Sequence, residues 1–370
     1  MRKPLIRYLV SSPYGDLPVD KDKIDFPLEG DPLKTPYRIY FDSIRNFLAR
    51  EEFKPLLSAV NQKLKREVLL KEIGEIIIRT EKHGALYHPA SIELILKEEK
   101  VKFGLNVAVT DTGRDWLQKE FSVLKNLQEK YDLPYLPNPY LLDNLSSISF
   151  LLEEWFEGYH EFHIAIDEKG GQRLKLWEFG RGYTYLTTRQ GFEICKQASK
   201  ILTLYYDFAD FNHIYPWHHA AGDFVVRIEN EKVDARLITA RRYDSLMNFD
   251  KDQVNPLFAL FYFFLHLSLQ MRLDKVDGMN EVAWAEDSCV EATVTGFFEG
   301  MELKEEKNHY PGSVNEFLHL IKSFSREDLI VSSQPLVDLF SGTGDFPVVI
   351  ANLDGHAEKL FTVIQNLPLQ

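Results

Sequence analysis

Cysteine is scarce in this sequence, with only Cys195 and Cys289 among 370 residues. Two cysteines in a chain of this length are more simply two reduced, buried thiols than a disulfide framework. Long apolar runs are missing as well. The most apolar stretch, residues 257–271, is interrupted by His266 and is shorter than the roughly 18–20 residues that a membrane span needs. We therefore expect a buried core helix there and no membrane segment.

Positive charge is outnumbered, because 43 Lys and Arg stand against 56 Asp and Glu, a net charge of −13. This balance disfavours broad attraction to nucleic acid or to an anionic membrane surface, so neither is an expected partner. The first residues lack an apolar core long enough for a signal peptide, and a cytoplasmic location is expected. The length of the chain suggests two lobes or two domains.

The spacing of apolar residues divides the chain into three parts. Residues 1–72 begin with an irregular arm rich in Pro, Asp and Gly and continue with helical spacing. Residues 73–158 contain strand-like runs and one amphipathic helix. Residues 159–370 are mainly helical, with a hairpin predicted at 223–240. This order predicts a mixed α+β fold with two lobes and an N-terminal helical extension.

Residues 213–244 carry the side chains with the most obvious chemical use. An imidazole titrates near neutral pH, so His218 or His219 could accept a proton from a hydroxyl group. Asp223 offers the hard oxygen ligands that Mg²⁺ prefers. Arg241 and Arg242 could neutralise a phosphate through bidentate hydrogen bonds. Each residue also has a plainer interpretation: a histidine in a turn, an aspartate that shapes the start of a strand, and arginines in ion pairs.

The order of elements and these short patterns resemble the protein-kinase-like fold, in its aminoglycoside phosphotransferase and choline kinase branch. The resemblance covers roughly residues 73–305 and implies a small antiparallel sheet lobe followed by a mainly helical lobe. It also implies ATP and Mg²⁺ as cofactors. The residues that it places in the nucleotide site are His83, Gly84, Lys102, Asn106, Glu120, Glu154, Arg241 and Arg242.

Several positions depart from the pattern of that family. Asn106 stands where the family has its phosphate-gripping lysine, and Lys102 lies four residues earlier on the same face of the strand. Glu120 falls where the family helix supplies the glutamate that pairs with the lysine. Glu154 lies in a segment that looks like the hinge, whose backbone groups hold the adenine edge in the family. Gly84 is a single glycine, which fits an ordinary turn as well as a phosphate-covering one.

The loop before the hairpin can be aligned with the family in two ways. The preferred alignment keeps the hairpin intact and puts Asp223 at a metal-binding position, His218 at the catalytic base and Thr239 at the second metal ligand. The alternative takes Gly222 and Asp223 as the family's Gly-Asp pair and leaves Ile228 where an asparagine is expected. Under the preferred alignment the family's lysine, base and second metal aspartate are all replaced.

Two functions follow from this conflict. The first is an atypical phosphotransferase that moves phosphate from ATP to a small-molecule hydroxyl or amine, with His218 and Asp223 as catalytic residues. The second is a catalytically inactive pseudokinase that binds a nucleotide or a protein as a scaffold. A metal-dependent hydrolase built on His213, His218, His219 and Asp223 is a third hypothesis, although adjacent side chains diverge in an extended segment.

Overall fold

The computed structural model describes residues 3–12, 14–19, 22–81, 86–97, 99–246, 255–307, 309–310 and 312–368. The chain divides into two compact units. The first comprises Met1–Glu157 together with Phe179–Gly182, and the second comprises Gly158–Glu178 together with Tyr183–Gln370. Residues 1–72 therefore belong to the same unit as the strands and the helix that follow them.

The first unit is built around a mixed sheet. Its elements are β1 (Leu5–Val10), β2 (Leu17–Pro18), α1 (Tyr37–Leu48), α2 (Arg50–Leu64), β3 (Ile73–Thr80), β4 (Ala90–Leu96), β5 (Lys100–Ala108), α3 (Asp111–Lys130), β6 (Pro139–Leu145) and β7 (Ile148–Glu154). The strand order is β2-β1-β3-β4-β5-β7-β6. Strand β1 is parallel to β3, whereas the pairs from β3 onward are antiparallel. The N-terminal arm, expected to be irregular, thus adds the two strands β1 and β2 to the sheet.

Helix α1 packs onto the sheet through residues at three- and four-residue spacing. Tyr40, Phe41, Ile44 and Phe47 are all buried in the core of the first unit. The ring of Phe47 stacks on Phe150 of β7 with 4.7 Å between centroids. Because a short isolated helix is marginal in water, this burial accounts for the stability of α1. The N-terminal helices are part of the sheet's core.

The second unit combines a smaller sheet with helices. Its elements are β8 (His160–Ile166), β9 (Gln172–Glu178), β10 (Gly182–Tyr185), α4 (Thr188–Leu204), β11 (His213–Ile214), β12 (Phe224–Glu229), β13 (Lys232–Leu237), β14 (Tyr243–Asp244), α5 (Pro256–Gln270), β15 (Leu273–Lys275), β16 (Val282–Trp284), α6 (Ser288–Glu306), α7 (Val314–Lys322), α8 (Arg326–Val337) and α9 (Phe346–Asn366). The larger sheet of this unit has the order β10-β9-β8-β12-β13. Strands β12 and β13 form an antiparallel hairpin.

Two helices of this unit position the residues discussed below. Helix α5 is apolar on all sides and is buried along most of its length, as expected for a core helix. In the described part of the chain no helix has the length and apolarity required to cross a membrane. Helices α4 and α6 touch closely at Gly296, where a Cβ atom would lie 1.9 Å from the carbonyl oxygen of Lys196. Only glycine allows this approach.

The expected fold class, mixed α+β with a sheet-rich part followed by a mainly helical part, is confirmed. The structure also shows one sheet arrangement and one helix that the spacing of apolar residues does not indicate. Strands β8, β9 and β12 join in one sheet although α4 separates β12 from the other two in sequence. Helix α8 has weak amphipathic spacing and contains Pro335, which explains why a pattern-based reading missed it.

Candidate functional site

The loop between α4 and β12 is shaped by a short helical turn and a glycine. His218 caps a 3-10 turn at His219–Ala221, and Gly222 follows with φ of 70°, in the left-handed region. A Cβ atom at Gly222 would lie 2.9 Å from the Glu161 carboxyl group. The left-handed backbone conformation favours glycine, and a larger residue would also require the Glu161 side chain to move. This turn sets the direction in which the next residue, Asp223, enters β12.

Asp223 is a buried carboxylate with charged and backbone partners. Its side chain is 2% exposed. Arg241 donates two hydrogen bonds to it, from Nη1 to Oδ2 at 2.9 Å and from Nη2 to Oδ1 at 2.8 Å. The backbone N–H of His218 donates to Oδ2 at 2.9 Å. A bidentate guanidinium is among the strongest partners a carboxylate can have, so Arg241 occupies the position where a bound cation was expected.

His218 is engaged through both ring nitrogens. Nδ1 accepts a hydrogen bond from the Ala220 backbone N–H at 2.9 Å. Nε2 lies 3.4 Å from Oδ2 of Asp345. Since Nδ1 is an acceptor here, the proton of the neutral ring belongs on Nε2, facing the aspartate. In this arrangement neither nitrogen presents a lone pair to a substrate hydroxyl, and His218 acts as a helix-capping residue.

The remaining polar residues of the hairpin region form local pairs. Arg242 donates to Asp244 at 2.9 Å on the surface, with about half of each side chain exposed. Asp234 accepts a hydrogen bond from Tyr159 at 2.5 Å and pairs with Arg236. Asp234 and Asp244 are therefore both paired with side chains other than those around Asp223. The predicted phosphate-binding role of Arg242 remains a prediction, as does that of Arg241.

Asn106 and Glu120 are brought together in the first unit by a residue that the sequence analysis did not select. Asn106 Nδ2 donates to Glu153 Oε1 at 2.9 Å. Burial and the nearby Glu120 carboxylate raise the pKa of Glu153 well above its usual value, and the Asn106 hydrogen bond only partly opposes this. Glu120 and Glu153 are 1% and 8% exposed. A neutral amide thus stands where the family resemblance implies a lysine, and its hydrogen bond goes to Glu153.

Lys102 and Glu154 have partners of their own in the same unit. The Lys102 ammonium lies 4.0 Å from the centre of the Trp155 ring, a cation–π contact. Burial lowers the pKa of Lys102, and the charge of Glu81 opposes that effect. The backbone N–H of Glu154 donates to Asn138 at 2.9 Å, so it is engaged in the sheet. His83 and Gly84 lie outside the described residues.

Two of the histidines of this region, His213 and His219, are buried. Burial lowers the pKa of both His213 and His219 to about 4. Within the described ranges, no group of three or more His, Cys, Asp or Glu side chains could hold a metal ion. Within the described residues, the geometry therefore does not support the metal-dependent hydrolase hypothesis.

Comparisons with known proteins find similar solved structures but no matching family model or curated protein. Among solved structures, the chain is similar to the crystal structure of a kinase domain at 10% sequence identity. The match covers 80% of this chain and 86% of that chain, with a TM-score of 0.29. A superposition at this level does not align individual residues, so the placement of the site rests on the contacts described above.

Sequence reasoning missed the two contacts that matter most here. Arg241 and Asp223 are 18 positions apart and meet only because the hairpin returns the chain. Glu153 belongs to the apolar run of β7, where a charged residue among buried neighbours was the available signal. A buried carboxylate in such a strand requires a partner or a proton. That rule could have selected Glu153 before the structure was known.

Proposed function

We propose that this protein is a catalytically inactive, kinase-like binding module. The observation that carries the proposal is the bidentate ion pair between Arg241 and Asp223. Magnesium in phosphoryl-transfer sites is held by carboxylate oxygens together with phosphates and water. Both oxygens of Asp223 are taken by partners that belong to the chain itself, which supports a role in holding the hairpin.

The other positions support the same proposal. His218 caps a turn through Nδ1 and faces Asp345 through Nε2, which supports a structural role over that of a base. Asn106 carries no charge and hydrogen-bonds to Glu153, which favours a site that does not grip phosphate. The residues present do not fit a Mg²⁺–ATP complex. The partner of the module is an unidentified small molecule or protein.

The location that fits this proposal is the cytoplasm. Cys195 and Cys289 are both free thiols, and Cys289 is buried whereas Cys195 is partly buried. Reduced cysteines are the ordinary state in a reducing compartment. The partial burial of Cys195 differs from the expectation that both thiols would be fully enclosed.

A nucleotide titration tests the proposal. Thermal unfolding is followed with ATP or ADP, each with and without Mg²⁺ or Mn²⁺, alongside an assay of phosphate release and transfer. A ligand at 100 times its dissociation constant stabilises a protein by about 2.7 kcal/mol, so binding is readily visible. We expect no metal-dependent stabilisation and no turnover.

Matched variants make the titration decisive. Arg241→Met releases Asp223, and Arg242→Met changes an exposed arginine beside it. Metal-dependent stabilisation by ATP in the wild type that disappears in Asp223→Asn, together with phosphate transfer, would replace the proposal by the phosphotransferase hypothesis. A response gained only in Arg241→Met would show that the ion pair is what blocks the metal.

A further inference from the structure

A cavity of about 110 Å³ lies inside the second unit, between β8, β9, the start of α4 and the start of α6. Its buried end includes Phe162, His219, Met271, Asp274 and Cys289. Its other end is bordered by exposed residues, among them Thr187, Thr188 and Glu286. The lining does not include His218, Asp223 or Arg241. This space is therefore separate from the residues on which the proposed function rests.

His219 is the unusual group in this cavity. Its side chain is buried, and the residue is 5% exposed. Neither ring nitrogen has a hydrogen-bond partner within the described part of the chain. Its neighbours are aromatic: the rings of Phe162, Phe224 and Trp217 lie 5.6, 5.6 and 5.5 Å away between centroids. A buried polar group without a partner is costly, so a molecule that supplies a hydrogen bond to this imidazole would be favoured.

The buried carboxylate of the lining, Asp274, has partners within the chain. Asp274 accepts hydrogen bonds from the backbone N–H groups of Ile164 and Lys275, both at 2.7 Å, and lies 3.3 Å from His163. Although burial opposes its charge, the nearby carboxylates of Asp274 and Glu161 raise the pKa of His163 to about 9, so an imidazolium balances the Asp274 carboxylate. Toward the exposed end, the lining contains one residue of each sign, Arg173 and Glu286. Because these positive and negative charges offset one another, the lining favours a neutral ligand.

The apolar part of the lining favours an aromatic ring. Three sulfur-bearing side chains, Cys195, Met271 and Cys289, line the cavity together with Phe162 and Phe192. Polarisable sulfur makes favourable contacts with aromatic rings. The cavity is smaller than the apolar cavity of about 150 Å³ that benzene fills, so it admits no more than a single ring, with any substituent extending toward the exposed end at Thr187 and Thr188.

We propose that this cavity binds a small neutral aromatic alcohol of the phenol class, with its hydroxyl group on the His219 imidazole and its ring against the sulfur-bearing side chains. The hydroxyl donates to, or accepts from, a ring nitrogen that otherwise lacks a partner. The proposal does not depend on whether the protein binds nucleotide, since its residues are different.

The test compares p-cresol with toluene, which has the same ring and methyl group but no hydroxyl. We expect isothermal titration calorimetry on the full chain to give about tenfold tighter binding of p-cresol, since the unpaired imidazole discriminates between them. In His219→Leu the two affinities should converge, to within about threefold. His219→Gln keeps a donor and an acceptor and should retain part of the preference.

Two controls separate the site from general effects of mutation. His266→Leu removes another buried histidine, 1% exposed, that does not line the cavity, and should keep the wild-type preference. In the wild type, p-cresol should slow modification of Cys195 and Cys289, the two cysteines of the chain, by a small methanethiosulfonate reagent. Because this protection is measured on the wild type alone, it tests the site even if a variant does not fold.

Several results would overturn the proposal. Absence of p-cresol binding at millimolar concentration would do so, as would equal affinities for p-cresol and toluene in the wild type. Tighter binding of benzoate or benzylamine would show that the occupant is charged. Binding of p-cresol without protection of either cysteine would place the site elsewhere. None of these results bears on the nucleotide titration, so the two proposals fail independently.

Discussion

Replacing Arg241 by methionine isolates the ion pair that anchors the hairpin. The substitution removes two hydrogen bonds, of 2.9 and 2.8 Å, from a carboxylate that is 2% exposed. It leaves Asp223 with the His218 backbone N–H, at 2.9 Å. Breaking a buried pair from one side costs about 3–5 kcal/mol. Because the Arg241 side chain is 19% exposed, water reaches part of the site, and we expect the lower limit, about 3 kcal/mol.

That loss is large enough to measure by thermal unfolding. A domain of 150–250 residues changes its melting temperature by about 2–4 °C per kcal/mol, so Arg241→Met should melt about 6–12 °C below the wild type. Circular dichroism follows the melt, and urea unfolding monitored by tryptophan fluorescence gives the free energy. Trp217, 3% exposed and close to the loop in sequence, serves as one probe.

The neighbouring arginine provides the matched control. Arg242 pairs with Asp244 on the surface, where the two side chains are 51% and 58% exposed. Exposed pairs contribute little, so Arg242→Met should stay within about 0.5 kcal/mol of the wild type. Adding Asp223→Asn to Arg241→Met removes the uncompensated charge and should recover part of the loss. Equal effects of Arg241→Met and Arg242→Met would refute the reasoning.

Two further predictions concern pH. Burial and Glu120 raise the pKa of Glu153 well above 4.5, so the folded chain holds a proton that the unfolded chain releases, and stability falls as pH rises above about 4.5. Glu153→Gln removes this dependence. Chemical denaturation should therefore show the free energy of unfolding of this variant increasing relative to that of the wild type from about pH 5 to pH 8. A difference between the two proteins that does not change with pH would contradict this prediction. Burial disfavours the charge of His163, but Asp274 and Glu161 raise its pKa to about 9, so its contribution is complete below about pH 6.5 and is lost through pH 9. His163→Gln should therefore flatten the loss of stability between about pH 7 and 10, by about 3 kcal/mol at most, and a parallel decline in both proteins would be inconsistent with the imidazolium.

The spacing of apolar residues was sufficient to predict the helices that are buried on one face or on every side. The apolar spacing of α1 and the long, mostly apolar run of α5 predict helices, and both helices are buried as expected. The switch from helical to strand-like spacing near residue 73 also agrees with the start of β3. Periodicity succeeds in these cases because it reports which side chains must leave water, whatever they pack against.

The candidate site was only partly accessible in the same way. His218 and Asp223 were selected from residue type and order, and the structure brings them into contact through a backbone hydrogen bond of 2.9 Å. Their chemistry, however, is set by their contacts with Ala220, Asp345 and Arg241. Of these three residues, Asp345 and Arg241 are distant in sequence from the side chains that they contact. Residue type indicates what a side chain can do, but its partners decide what it does.

The sequence by itself determined the class of fold, the core helices and the region in which polar chemistry is concentrated. Only the tertiary structure decided that Arg241 neutralises Asp223, that Asn106 meets Glu153, and that His219 faces a cavity walled by both cysteines. The physical reason is that hydrophobic periodicity is a local property of the chain. Ion pairs, shared protons and cavities arise between segments that are distant in sequence, and their energies depend on burial that exists only after the chain has folded.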